Sequence, residues 1–119
     1  MNEEQVLAKT NRINMLFDFY EPLLTEKQQT FLKCYFQDDF SLGEIAAEFG
    51  ISRQAVYEHI KRAEQTLESY ESKLGLLSKF ERRTEIVMAL QRAMDDMDSI
   101  PDPQRAELQT IVRELQALD

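Results

Sequence analysis

The sequence predicts an all-α fold in which a helix-turn-helix without a wing is preceded by one helix and followed by a helical hairpin. Three observations predict it. Only three glycines and three prolines interrupt 119 residues. Apolar residues recur at helical spacing and nowhere alternate with polar ones for long. Helix starts are written out as capping boxes, in which Ser or Thr at the N-cap and Glu or Gln three residues later satisfy each other's free amides. With 43% hydrophobic and 30% charged residues, the chain has the makeup of a globular helical protein. Its length suits one compact domain over residues 1–119. Within it, residues 1–24 form an N-terminal helix, 25–75 a helix-turn-helix core with a long second helix, and 76–119 C-terminal helices for packing or dimerisation.

The elements follow in order. A first helix near residues 3–20 places Val6, Ile13, Leu16, Phe17 and Tyr20 on one side, and Pro22 forbids its continuation. Thr25 with Gln28 starts a second helix, 26–37, with Phe31, Leu32, Tyr35 and Phe36 as its buried stripe. Ser41 with Glu44 starts a third, 42–49. Ser52 caps a fourth, 53–74, and Ser78 with Glu81 a fifth, 79–98. Asp102 before Pro103 suits the start of a sixth, 103–118.

The segment SLGEIAAEFGISRQAVYEHIKRAEQTL, residues 41–67, reads as the helix-turn-helix. Ile45, Ala46 and Phe49 form the inner face of its first helix. Gly50 takes the left-handed conformation that stops that helix, Ile51 plugs the turn, and Ser52 caps the next one. Val56, Ile60, Ala63 and Leu67 bury the second helix. Gln54, Tyr57, Glu58, Lys61 and Arg62 are left on or near its outward face. In this geometry the start of the second helix enters a major groove. Ser52, Arg53, Gln54, Ala55, Tyr57, Glu58, Lys61 and Arg62 are therefore the candidate nucleic-acid-binding residues. Arg53 can pair bidentately with guanine and Gln54 with adenine. Ala55 can touch a thymine methyl, Lys61 or Arg62 can hold phosphates, and Tyr57 suits either task. Glu58 repels phosphate unless it accepts a hydrogen bond from cytosine.

Residues 25–75 resemble the promoter-reading C-terminal domain of bacterial sigma factors. RQAVYEHIKRAEQTL is similar to the extracytoplasmic-function type at Val56, Ile60, Arg62, Ala63 and Leu67. The wider stretch from INMLFDFYEPLLTEKQQTFLKCYF through the helix-turn-helix to ESKLGL resembles the YlxM family over most of the chain, least so beyond residue 80. That family comprises DNA-binding helix-turn-helix proteins of Gram-positive bacteria encoded beside signal recognition particle genes. The resemblance implies a DNA-binding regulator that takes part in or regulates that targeting pathway. It leaves room for an accessory protein that binds the particle's RNA or GTPases. No other sigma-factor domain accompanies the motif, so promoter recruitment alone is not expected.

The net charge is −8, and no subregion is basic: 2 basic residues stand against 4 acidic in 1–24, and 6 against 9 in each of 25–75 and 76–119. This excludes a protein that coats nucleic acid by bulk charge. Contact with DNA, or RNA, is local, and an interaction module without a nucleic-acid ligand is a further reading. Val56, Ile60, Ala63, Leu67, Tyr70 and Leu74 form a heptad seam that needs covering. The candidates are Val87, Leu90, Met94 and Met97, or Leu108, Ile111, Val112, Leu115 and Leu118. A homodimer, which would present two recognition helices, is the preferred arrangement.

No metal, cofactor or catalytic set is expected. One cysteine and one histidine cannot build a Cys/His zinc site. Cys34 reads as a buried structural residue and His59 as a solvated or packed ring beside the recognition helix. Asp95, Asp96 and Asp98 crowd a helix end whose dipole opposes them, where a hydrated acidic end is the plain reading and a cation or basic partner the other. The N-terminus lacks the features of a signal peptide, and no apolar run approaches the roughly 20 residues of a membrane span. A cytoplasmic protein, not inserted in a membrane, is the expectation.

Overall fold

The computed structural model describes residues 2–118. It consists of six α-helices: α1 Glu3–Tyr20, α2 Glu26–Leu32, α3 Leu42–Phe49, α4 Arg53–Leu74, α5 Leu76–Asp95 and α6 Asp102–Ala117. A 3-10 turn, Glu21–Leu23, follows α1, and a π turn, Lys33–Gln37, extends α2. There is no strand among the described residues. Two compact units divide the chain between Leu77 and Ser78.

In the first unit the capping boxes at Thr25/Gln28 and Ser41/Glu44 are both closed, and Ser52 accepts from the Ala55 amide at 3.0 Å. Each cap is worth about 1 kcal/mol of helix stability. A further box, Asn2 with Gln5, starts α1. The second helix departs from expectation at its end. The Asp38 amide reaches the Lys33 carbonyl, five residues back. The widened turn changes the register: Phe31 and Leu32 are buried, Phe36 is half-buried, and Tyr35 faces solvent.

Gly50 closes α3 at φ +66°, where a Cβ would be strained. The Ile51 amide donates to the Ala46 carbonyl at 3.1 Å, and the Ile51 side chain packs onto a core of Phe31, Ile45, Ala46, Val56 and Ile60. Phe49, predicted on the inner face, is largely exposed. Its ring leans on Phe31 at 5.1 Å between centroids.

The seam of α4 is sealed locally. Val56, Ile60, Ala63 and Leu67 are buried where α4 meets α1, α2 and α3. On α1, Ile13, Leu16, Phe17 and Tyr20 are buried, while Val6 is exposed. The ion pairs Lys9–Glu64 (3.4 Å) and Arg12–Glu68 (2.8 Å) run along the same α1–α4 contact. The expected cover from the C-terminal helices is thus replaced, at these positions, by α1 through α3. The seam frays at Leu74, which is exposed.

The Tyr20 hydroxyl links three helices. It donates to Glu71 Oε1 at 2.7 Å and accepts from the Leu76 amide at 3.1 Å, while Glu71 Oε1 also accepts from the Leu77 amide at 3.0 Å. The first amides of α5 are thereby satisfied by side chains from α1 and α4. α5 accordingly starts at Leu76, directly after Gly75 at φ +62°, and not behind a Ser78 cap as the sequence predicts.

In the second unit Val87, Met94 and Val112 bury one another, with Leu115 against them. Arg105 of α6 donates to the Met94 carbonyl at 2.9 Å and to the Met97 carbonyl. Its charge sits beside the acidic end of α5, where a cation is favoured. α6 starts at Asp102 with Pro101 at its N-cap, one residue before the expected start. No helix among the described residues is long and apolar enough to cross a membrane.

Candidate nucleic-acid interface

The turn at Gly50 and Ile51 places the leading end of α4 in solvent. Ser52, Arg53 and Gln54 are exposed, as are Tyr57, Glu58, Lys61 and Arg62 further along, and Ala55 is half-buried. The same periodicity that buries Val56, Ile60, Ala63 and Leu67 turns Gln54, Glu58 and Gln65 most directly outward. Lys61 and Arg62 flank that ridge on opposite edges.

The eight residues fall into three neighbourhoods. At the leading end, Arg53 lies along Gly43 of α3, with its Nε 3.6 Å from where a Cβ on that glycine would stand. Gln54 Nε2 donates weakly to Glu58 Oε1 at 3.4 Å, so the amide that would read adenine is held by the carboxylate one turn on. Tyr57 and Lys61 line a small cleft with Lys9, Tyr35 and Glu64 on the side nearer α1. Arg62 lies on the side nearer α2, where its Nη2 meets His59 Nδ1 at 3.2 Å. Arg53 through Arg62 holds three cations against one carboxylate, a local excess of positive charge in an acidic chain.

His59 is a packed ring. It stacks on Phe31 with centroids 5.0 Å apart and planes 9° from parallel. Burial first, then the positive charges of Lys27 and Arg62, hold its imidazole below the ordinary value, while Glu58 opposes the shift. Above the unfolded value of about 6.5, both states hold the ring neutral. Below it, the unfolded chain takes up the proton first. Folding stability therefore falls as pH drops from about 6.5 through the folded midpoint. The expected result is a lower urea midpoint at pH 5.5 than at pH 7.5, with part of that drop absent in His59→Gln. Equal drops in the two proteins would refute it.

Cys34 is half-buried against the core around Phe31. Burial, with Asp38 and Glu48 adding to it, pushes its thiol above the ordinary range. This suits packing better than nucleophilic chemistry.

One residue beside these has no counterpart in the sequence reading. Lys27 reaches the His59–Arg62 neighbourhood from α2, and with Thr25, Gln28 and Phe31 it lines a cleft there. A trace of this was available in the sequence. A lysine in the first turn of a helix works against the macrodipole, so its presence there calls for another reason.

A family model described as "Putative helix-turn-helix protein, YlxM / p13 like" matches residues 7–105. The chain is 61% identical over 90 residues to a UPF0122 protein of Halalkalibacterium halodurans, a match covering 76% of this chain and 83% of that one. It is 46% identical over 114 residues to UPF0122 proteins of Bacillus mycoides and Bacillus thuringiensis, covering 96% of this chain and all of theirs. With that model spanning both the helix-turn-helix and α5, and relatives matched over nearly their whole length, the chain belongs to the UPF0122 family of YlxM / p13-like helix-turn-helix proteins.

Proposed function

We propose that this protein is a non-enzymatic, sequence-specific DNA-binding regulator that reads a major groove with the leading end of α4. The observation that carries this reading is the exposure of Ser52, Arg53 and Gln54 directly after the Gly50 turn. In this reading Arg53 and Gln54 read base edges, Ala55 meets a thymine methyl, and Tyr57, Lys61 and Arg62 hold the backbone. Ser52 keeps its capping role at the helix start, and Glu58 restrains Gln54 and penalises wrong sequences. The test is selection from random duplexes by the intact chain and by an Arg53→Ala plus Gln54→Ala variant. Enrichment of a sequence by the intact chain alone is expected, and equal enrichment by both, or by neither, would reject the reading.

We further propose, on what the resemblance to YlxM proteins implies, a part in the signal recognition particle pathway, through its regulation or through its RNA or GTPases, with a cytoplasmic place. Co-purification with those components is its test.

The second unit is proposed as the dimer contact. Ile86, Leu90, Met97, Leu108 and Ile111 are exposed large apolar residues on so small a unit. Sedimentation should give twice the 14.0 kDa chain mass, falling to one chain in Ile111→Asp. A single-chain mass for the intact protein would remove the proposal.

A further inference from the structure

The geometry points to a phosphate-binding cleft between α2 and α4, in which Lys27 and Arg62 grip a phosphodiester of bound DNA over the His59 ring. This extends the DNA reading above to a second element, outside the recognition helix, and rests on that reading for the source of the phosphate.

The cleft has a volume of about 160 Å³ and is lined by Thr25, Lys27, Gln28, Phe31, His59 and Arg62, with no carboxylate among them. In a chain of 22 acidic and 14 basic residues, the formal charges that line it are both positive. Lys9, Arg12, Lys33 and Arg82 each stand in an ion pair. Among the described residues, neither Lys27 nor Arg62 pairs with a carboxylate. Two cations thus line one cleft without a carboxylate partner, on two helices that pack together. The floor is rigid, because His59 is stacked on buried Phe31. Thr25 and Gln28 are already committed to the capping box of α2, so the cations carry the contact.

The site couples to pH. The charged groups facing His59 are Lys27 from α2 and Arg62 and Glu58 from α4. Burial disfavours the protonated ring first, and the two cations add to it; a bound phosphate would offset the cations' share, so occupancy of the cleft raises the affinity of His59 for its proton. Binding in turn strengthens as pH falls toward the ring's titration.

The test uses the full chain and its one histidine, whose ring protons give a single titration by NMR. Binding to a short mixed-sequence duplex is followed against salt. The slope of log K against log salt should fall by about 0.9 in Lys27→Gln and by about 1.8 when Arg62→Gln is added. Lys79→Gln, on the second unit, should leave it unchanged. In the intact chain the His59 midpoint should rise on adding duplex, and in Lys27→Gln it should not. If duplex binds with an unaltered slope in Lys27→Gln and a stationary His59 midpoint, the cleft is refuted. The reading of α4 then stands or falls on Arg53→Ala plus Gln54→Ala alone. If the intact chain binds no duplex even at low salt, the DNA reading fails, and inorganic phosphate decides the cleft. Saturable movement of the His59 resonance that is lost in Lys27→Gln upholds an anion site taking free phosphate, and no movement overturns it.

Discussion

Replacing Tyr20 with alanine is expected to cost about 3 to 5 kcal/mol of folding stability, the range for deleting a large ring from a core. Small domains hold only about 5 to 15 kcal/mol in all, so the variant should be partly unfolded at modest urea concentrations. The ring is fully buried, leans on Tyr70 at 5.8 Å between centroids, and carries the hydroxyl that joins α1 to α4 and α5. Tyr20→Phe separates the two contributions. It keeps the ring but leaves the Leu76 amide without its acceptor and Glu71 without one of its donors, at a cost of about 1 to 3 kcal/mol. Because Glu71 also receives the Leu77 amide, Tyr20→Phe and Glu71→Gln should be non-additive in a double-mutant cycle. Urea unfolding of the three variants checks this. A Tyr20→Phe protein as stable as the parent would mean that α5 is started by something other than this hydroxyl.

That contact also marks the boundary of what the sequence discloses. The starts of α2, α3 and α4 are legible because each cap is closed within three residues: Thr25 by Gln28, Ser41 by Glu44, and Ser52 by the Ala55 amide. The same logic predicts a start behind Ser78, and there it fails. The caps of α5 come from residues 56 positions away at Tyr20 and 6 away at Glu71. A local pattern cannot report a partner that only folding delivers. The π turn at Lys33–Gln37 is hidden for a related reason, since Tyr35 and Phe36 fit a regular helical stripe until one widened turn shifts them. Along α4 the candidate site is legible because one periodicity fixes both the buried and the outward residues. Lys27 is not, because it lies on another helix and comes to line one cleft with Arg62 only in the folded unit.

The largest functional effect should come from Arg53→Ala with Gln54→Ala. Two bidentate base contacts at about 1 to 3 kcal/mol each give a loss of roughly 2 to 6 kcal/mol in discrimination between the selected site and random duplex. The loss should fall mainly on specificity. Lys61, Arg62 and Lys27 remain, so binding to random duplex at low salt should survive with most of its salt dependence. Competition titrations at two salt concentrations measure both quantities at once. The two side chains should not contribute alike. Arg53 lies over Gly43 and, among the described residues, is in no ion pair with a carboxylate, whereas Gln54 must leave Glu58 before it reaches a base. The weak 3.4 Å contact makes that release cheap, but it is not free. Arg53→Ala alone should therefore cost more than Gln54→Ala alone, and Glu58→Ala should weaken discrimination at the adenine while strengthening binding to every sequence. If Arg53→Ala instead weakens binding equally across sequences and lowers the salt slope by about one contact, Arg53 is a phosphate clamp, and base reading must begin further along α4, at Tyr57 or Lys61.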